Sequence, residues 1–223
     1  MMAYIYDVDG NIIPIGGGSS LGSSPSVEFD RVVKGIAHKG YSSVAPENTL
    51  PAFKLAKENG FFYVETDIQY TSDGVPVCIH DGNISNVSDG TGNIWNLTFD
   101  QVRQYDFGSW KSATYAGTKI PSFEEFITLC RNLSIHPYIE IKAAGITQAQ
   151  AQALVDMVES VGMKDKVTWI SFYHAKLSYF VNIDQNARIG VLAHAVTSST
   201  AQDYISNIEN KNLLQYKLCK RFL

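Results

Sequence analysis

A parallel α/β fold, either doubly wound or closed as a (β/α)8 barrel, is what this sequence predicts, on three observations. From residue 31 onward, short apolar or β-branched runs alternate with stripes of helical period. Ser or Thr followed three residues later by Glu or Gln stands in front of several of those stripes, the mark of a helix start. The chain has 223 residues, 45% of them hydrophobic and 18% charged, which suffices for one sizeable core.

Residues 1–14 contain "YIYDVDGNIIPI", which alternates around Asp9-Gly10 and reads as a short N-terminal arm or hairpin. Such an arm is too small to fold alone and suits attachment to another protein. Asp7, Asp9 and Asn11 have the spacing of a calcium-loop start, but Ile12 stands where the sharp-turn Gly belongs and no closing Glu follows. Residues 15–28, nearly all Gly, Ser and Pro at their core, read as a linker, which leaves residues 29–223 for the folded domain.

Within that domain "RVVKGIA" and "FFYVETDI" read as strands. Leu50, Phe53 and Ala56 between them form a helical stripe that Gly60 ends, so the three pieces make a β-α-β unit. "VPVCIH" follows a "TSDG" turn as another extended segment. Residues 82–120, rich in Gly, Asn, Ser and Thr, read as a long decorated loop, a length usually tied to function or disorder. Ser122 and Glu125 box the start of a helix with Phe123, Phe126, Ile127, Cys130 and Leu133 on one face. "PYIEIK", "VTWISF" and "ARIGVLA" read as further strands. Weaker boxes at Thr147/Gln150 and Ser199/Gln202 precede stripes at 151, 154, 155, 158 and at 201, 204, 205, 208. The count is about six strands, fewer than the eight of a closed barrel. The tail "NLLQYKLCKRFL" reads as the end of a helix, with sequence foreign to the fold as the alternative.

Charge excludes one class of partner. Eighteen basic against 22 acidic residues give a net charge of -4, with no basic block to grip nucleic acid or an anionic membrane. Cys78, Cys130 and Cys219 are odd in number and far apart, so they read as buried hydrophobes rather than as disulfides or metal ligands. The N-terminus has neither the basic start of a signal peptide nor an apolar run long enough to span a membrane. The cytoplasm is then the default compartment, with a phage tail or the cell exterior as the alternative.

The polar residues at the strand ends carry the chemistry. Strand residues two apart share a face, so Glu65 and Asp67 point one way, as do Glu140 and Lys142. Glu65, Asp67 and Glu140 together repel one another unless a cation lies between them, and carboxylate oxygens match hard Mg²⁺ or Ca²⁺. His38 and His80 also end strands and suit an acid-base pair, since an unperturbed histidine titrates at about 6.5. Lys39 and Lys142 add the positive charge that holds a phosphate. Alone, a strand-end His is more often a hydrogen-bonded structural residue, and Glu-x-Asp or Glu-x-Lys a solvated strand end. Their shared position at the carboxyl ends of successive strands, where α/β folds place their sites, favours catalysis. His136, His174 and His194 read as structural or peripheral.

"AHKGYSSVAPENTLPAFKLAKENGFFYVETDIQYTSDGVPVCIHD" resembles the signature of glycerophosphodiester phosphodiesterases. The likeness runs through His38-Lys39-Gly40, Pro46-Glu47-Asn48-Thr49, Glu65-x-Asp67, Asp73-Gly74, His80-Asp81, Pro121-Ser122 and Glu140-x-Lys142, and covers residues 31 to about 195. It implies a TIM barrel of PLC-like phosphodiesterase type, here short of its last two β-α units. It also implies divalent-cation-dependent release of glycerol 3-phosphate and an alcohol. His38 and His80 would then be the acid-base pair, Glu65, Asp67 and Glu140 the metal ligands, and Lys39 and Lys142 the phosphate contacts. The family usually has Arg at Lys39; lysine keeps the charge but loses the planar fork that grips phosphate in two places. The competing expectation is a non-catalytic module that binds glycerol phosphate or a teichoic-acid-like polymer on a phage tail or surface protein.

Overall fold

The computed structural model describes residues 35–193, together with the paths of Ile5–Tyr6, Ile12–Ile13 and Tyr216–Lys220. The expected linker, His194, and the Ser199/Gln202 box with its stripe lie outside the described residues.

Strands β1 (Ile5–Tyr6) and β2 (Ile12–Ile13) pair antiparallel, Ile5 opposite Ile13. Then follow β3 (Ile36–Ala37), α1 (Leu50–Glu58), β4 (Tyr63–Tyr70), β5 (Pro76–Cys78), α2 (Phe99–Val102), α3 (Phe123–Leu133), β6 (His136–Ile141), α4 (Gln148–Ser160), β7 (Thr168–Ser171), α5 (His174–Ile183), β8 (Ile189–Ala193) and β9 (Tyr216–Lys220). The main sheet runs β3-β4-β6-β7-β8-β9, every neighbouring pair parallel, and β5 adds antiparallel to β4. Six parallel strands are thus described, two short of a closed (β/α)8 barrel. The tail corrects one expectation: Tyr216–Lys220 is a strand in register with β8, not the end of a helix. Alternating Tyr216, Leu218 and Lys217, Cys219 suit a pleat at least as well as a helix, and the open edge of β8 decides between them.

Burial separates a barrel from a doubly wound sheet. Phe53 and Ala56 of α1, Phe126 and Ile127 of α3, Leu154 and Val158 of α4, and Leu177 and Phe180 of α5 share one core with Val64, Ile68, Ile139 and Trp169. Helices α1, α3, α4 and α5 therefore cover the same face of the sheet. The opposite face carries its own cluster, Tyr138, Ile170 and Leu192 with Tyr63 and Phe172, and among the described residues no helix residue joins it. That is the inner layer of a barrel. The sequence-predicted boxes at Ser122/Glu125 and Thr147/Gln150 are formed, each satisfying first-turn N–H groups and fixing where α3 and α4 begin.

Residues 82–120 are not a bare loop. Ile84, Ile94, Val102, Phe107 and Ile120 close a small second core with Val77 and Ile79. Asp106 ties its far end, accepting from the backbone of Gly108, Ser109 and Gly117 and from the Ser109 hydroxyl, which holds its carboxyl well below the usual range. Arg103 joins the insertion to α3 through the Ile120 carbonyl and Glu125. Apolar residues spaced irregularly among turn formers gave no period to read, which is why the sequence left this segment as a loop.

Tyr70, at the end of β4, packs against the helical core with its hydroxyl buried and without a hydrogen-bond partner, and burial raises its pKa. Such a group costs stability, so Tyr70→Phe is expected to leave the unfolding free energy unchanged or raise it by up to about 1 kcal/mol in urea titrations. A loss larger than that would mean that the hydroxyl is satisfied in solution.

Candidate active site

The site is set by register. Parallel pairing places Asp67 beside Glu140 and Glu65 beside Tyr138, and laterally paired residues share a face, so the carboxylates of β4 and β6 converge on one face of the sheet. Glu65, Asp67 and Glu140 are all buried, and each offers an oxygen within 4.8 Å of those of the other two. At that spacing two ionised carboxylates repel by roughly 3–4 kcal/mol at an effective dielectric constant of about 20. Asp67 Oδ1 is moreover buried with no hydrogen-bond partner. A buried acceptor of this kind, in a set of oxygen donors of this size, fits a hard divalent cation.

The turn after β3 holds the triad from one side. Lys39 and Gly40 both adopt positive φ, 56° and 75°. The turn directs the Lys39 amide to Glu65 Oε2 at 2.9 Å and the Lys39 carbonyl to the Asn48 amide at 3.1 Å. A Cβ on Gly40 would lie 2.8 Å from the Ala52 backbone, so glycine is what lets α1 close on the turn. His38 stands at the end of β3 with Nε2 3.7 Å from Glu65 Oε2. Its carbonyl accepts from the Ser42 hydroxyl.

Asn48 is the residue that sequence reasoning missed as an individual. Its Nδ2 donates to Asp67 Oδ2 at 2.9 Å, while its Oδ1 accepts from the Thr66 hydroxyl and, at 3.3 Å, from the Asp67 amide. Both ends of the amide are thus spent on Asp67 and its neighbour Thr66. The available signal was an Asn within a Pro-Glu-Asn-Thr turn, since Asn tolerates the left-handed backbone, here φ 56°, that this position requires.

Histidine 80 approaches from the other side, beyond β5. Its backbone carbonyl is held by Gln69 Nε2 at 2.6 Å, its Nδ1 lies 2.7 Å from Asp81 Oδ1 and its Nε2 3.1 Å from Lys142 Nζ. An ammonium only donates, so Nε2 accepts and Nδ1 carries the proton given to Asp81. The hydrogen bond from His80 holds the Asp81 carboxyl below the usual range. Lys142 also lies 3.4 Å from Glu140 Oε1, which links His80 to the triad. Lys39 behaves differently: its ammonium is paired with Glu47 Oε1 at 2.9 Å and the residue is buried. The structure therefore brings His38, His80, Lys142 and the three carboxylates together and turns the Lys39 charge toward Glu47. His174 Nε2 donates to the Leu192 carbonyl, and His136 packs edge-on against Tyr63, as structural residues do.

Fold and site define a parallel α/β barrel with a buried three-carboxylate centre flanked by two histidines and a lysine. The family model of glycerophosphoryl diester phosphodiesterases matches residues 38–219, and the chain belongs to that family. Human glycerophosphodiester phosphodiesterase 1 is 38% identical over 112 residues, 49% of this chain and 34% of the human protein. A glycerophosphodiester phosphodiesterase of Caldanaerobacter subterraneus is 31% identical over 158 residues, 70% of this chain and 65% of that protein. The chain thus spans about a third of the first relative and just under two thirds of the second. Among solved structures, an Oleispira antarctica phosphodiesterase in complex with the product sn-glycerol-3-phosphate is similar with a TM-score of 0.73 and 26% identity, over 84% of this chain and 83% of that one.

Removing the Asn48 side chain strands two buried hydrogen-bonding groups, so Asn48→Ala is expected to cost about 2 kcal/mol of unfolding free energy. Denaturant titration of the variant measures it; a cost under about 0.5 kcal/mol would mean that Asp67 is held by other means.

Proposed function

We propose that this chain hydrolyses glycerophosphodiesters to glycerol 3-phosphate and an alcohol, using a divalent cation held by Glu65, Asp67 and Glu140 and proton transfer by His38 and His80. One observation carries the reading: a buried carboxylate triad with an unpartnered Asp67 oxygen, bordered at Glu65 by His38 and at Glu140 by the Lys142–His80 pair. Family membership and the product complex of the Oleispira relative support the substrate class.

A bound cation would supply Lewis-acid stabilisation of the negative charge that develops on the substrate oxygens. The chain's own groups do the rest. Lys142 neutralises the phosphate, and the glycerol hydroxyls lie over the triad. The neighbouring glycerol hydroxyl forms a bond to phosphorus as the bond from phosphorus to the alcohol oxygen breaks. One histidine takes the hydroxyl proton and the other gives a proton to the departing alkoxide. Water then opens the cyclic phosphate with the two protons returned in the opposite sense. Asp81 keeps the His80 ring in one tautomer throughout. Lys39, paired with Glu47, shapes the turn under His38, and its ammonium keeps two further donors for a phosphate.

The decisive assay incubates the protein with glycerophosphocholine and Mg²⁺ or Ca²⁺ and measures glycerol 3-phosphate. Release is expected to stop with a chelator and to fall by about 10²–10⁴-fold in His38→Ala and in His80→Ala; release that survives both substitutions would exclude the acid-base pair. Cation binding has its own readout. At a cation concentration of about 100 times Kd the folded state should gain about 2.7 kcal/mol, seen as a rise in Tm, and Glu140→Gln should abolish that rise. A wild-type Tm indifferent to both cations would remove the metal from the mechanism.

A further inference from the structure

The strand that carries two of the three site carboxylates carries one more buried polar residue on the same side. Side chains two apart in a strand share a face, so Gln69 follows Glu65 and Asp67 along β4 on the face of the triad. Its Nε2 lies 2.6 Å from the His80 carbonyl and 3.5 Å from the Ile79 carbonyl. Carbonyl oxygens only accept, so the amide nitrogen is the end that faces them. We propose that Gln69 is a positioning residue: it sets where His80 stands relative to the triad, so that cation ligands and one member of the acid-base pair are held by the same strand. This inference rests on the reading of the site as a glycerophosphodiester hydrolase.

The bond falls where the β4–β5 ladder stops. The antiparallel register pairs Gln69 with Val77 and Ile68 with Cys78, and the Ile79 amide still reaches the Asp67 carbonyl at 2.9 Å. Cys78 is the last residue of β5, and His80 lies beyond it. The Gln69 side chain spans that step, from a backbone position opposite Val77 to the carbonyl of His80.

The other contacts of His80 act on its ring and do not replace this anchor. Asp81 is the next residue, so it moves with the backbone it would have to hold; its carboxyl, half exposed, fixes the tautomer through Nδ1. Lys142 meets Nε2 at 3.1 Å, but its ammonium also faces Glu140 at 3.4 Å and, in the proposed reaction, the phosphate. Gln69 combines burial, a strand paired on both sides and a bond to the main chain of the histidine. A reacting group displaced by about 1 Å can cost about 10²-fold in rate, and a loss of that kind falls on the chemical step rather than on binding.

Two variants and two readouts test the role. Gln69→Met removes the donor at nearly constant length, and Gln69→Asn keeps the amide on a shorter stem. With glycerophosphocholine and Mg²⁺, Gln69→Met is expected to lower kcat by about 10–100-fold with KM within about twofold of wild type, and Gln69→Asn to lower kcat less. The rise in Tm on cation binding should match that of the wild type, since the three carboxylates are untouched. Proton–nitrogen correlation spectra of the histidine rings, recorded at a pH above the usual histidine range, give the second readout. His80 of the wild type should show the Nδ1–H tautomer. In Gln69→Met its ring nitrogens should move toward the average of a freely exchanging ring, while the His136 and His174 signals stay in place and verify the fold. If Gln69→Met does not fold, Gln69→Asn decides on the same two readouts. An unchanged kcat, a change confined to KM, or His80 signals indifferent to the substitution overturns the positioning role. The spectra do not depend on turnover. A His80 shift in a protein whose wild type releases no glycerol 3-phosphate upholds the positioning role and sinks the hydrolytic reading; turnover indifferent to Gln69 sinks the positioning role alone, and neither turnover nor a shift sinks both.

Discussion

The crowding of three carboxylates on one face of two adjacent strands governs the rest of this structure. Asp67 and Glu140 are direct neighbours across the β4–β6 ladder and Glu65 is two residues back on the same face. Burying such a set is unfavourable unless a cation and hydrogen-bond donors offset the mutual repulsion and the lost hydration. The surrounding elements are arranged to supply them. The turn after β3 aims the Lys39 amide at Glu65, Asn48 grips Asp67, and Lys142 approaches Glu140.

That arrangement explains why backbone conformations otherwise uncommon collect here. Of the three non-glycine residues with positive φ among the described residues, Lys39 and Asn48 both belong to the turn that serves the triad. Their strain is repaid by hydrogen bonds to buried acceptors. The second layer of support reaches farther. The insertion has its own core, and it is bound to the barrel by Arg103 at Glu125 and by Lys111 Nζ at the Ser42 carbonyl, 2.7 Å away. Ser42 in turn bonds the His38 carbonyl. The insertion is thus tied to the start of α3 and to the turn after β3.

Much of this was legible in the sequence. The capping boxes and 3.6-period stripes located α3 and α4, and the i, i+2 spacing put Glu65 with Asp67 and Glu140 with Lys142 on common faces. Among the described residues, the strand-end histidines His38 and His80 stand at the site, while His136 and His174 stand apart from it. The insertion core, the strand in the tail and the partner of Lys39 were not legible. Each depends on what lies opposite in space: scattered apolar residues that meet only after the chain folds back, the open edge of β8, and a Glu47 eight residues away that pairs with the lysine.

The sequence by itself determined that α1, α3 and α4 are helices alternating with the strands of the main sheet, the face from which Glu65, Asp67, Glu140 and Lys142 leave their strands, and the inventory of oxygen and nitrogen donors, because periodicity and capping act over a few residues. Tertiary structure alone decided that α1, α3, α4 and α5 cover one face, so that the sheet is of barrel type rather than doubly wound. It alone set the register that brings Asp67 beside Glu140 and the close approach that seats Trp95 on Gly82. Those choices are made by packing and by hydrogen bonding between segments far apart in the chain, and no local pattern encodes them.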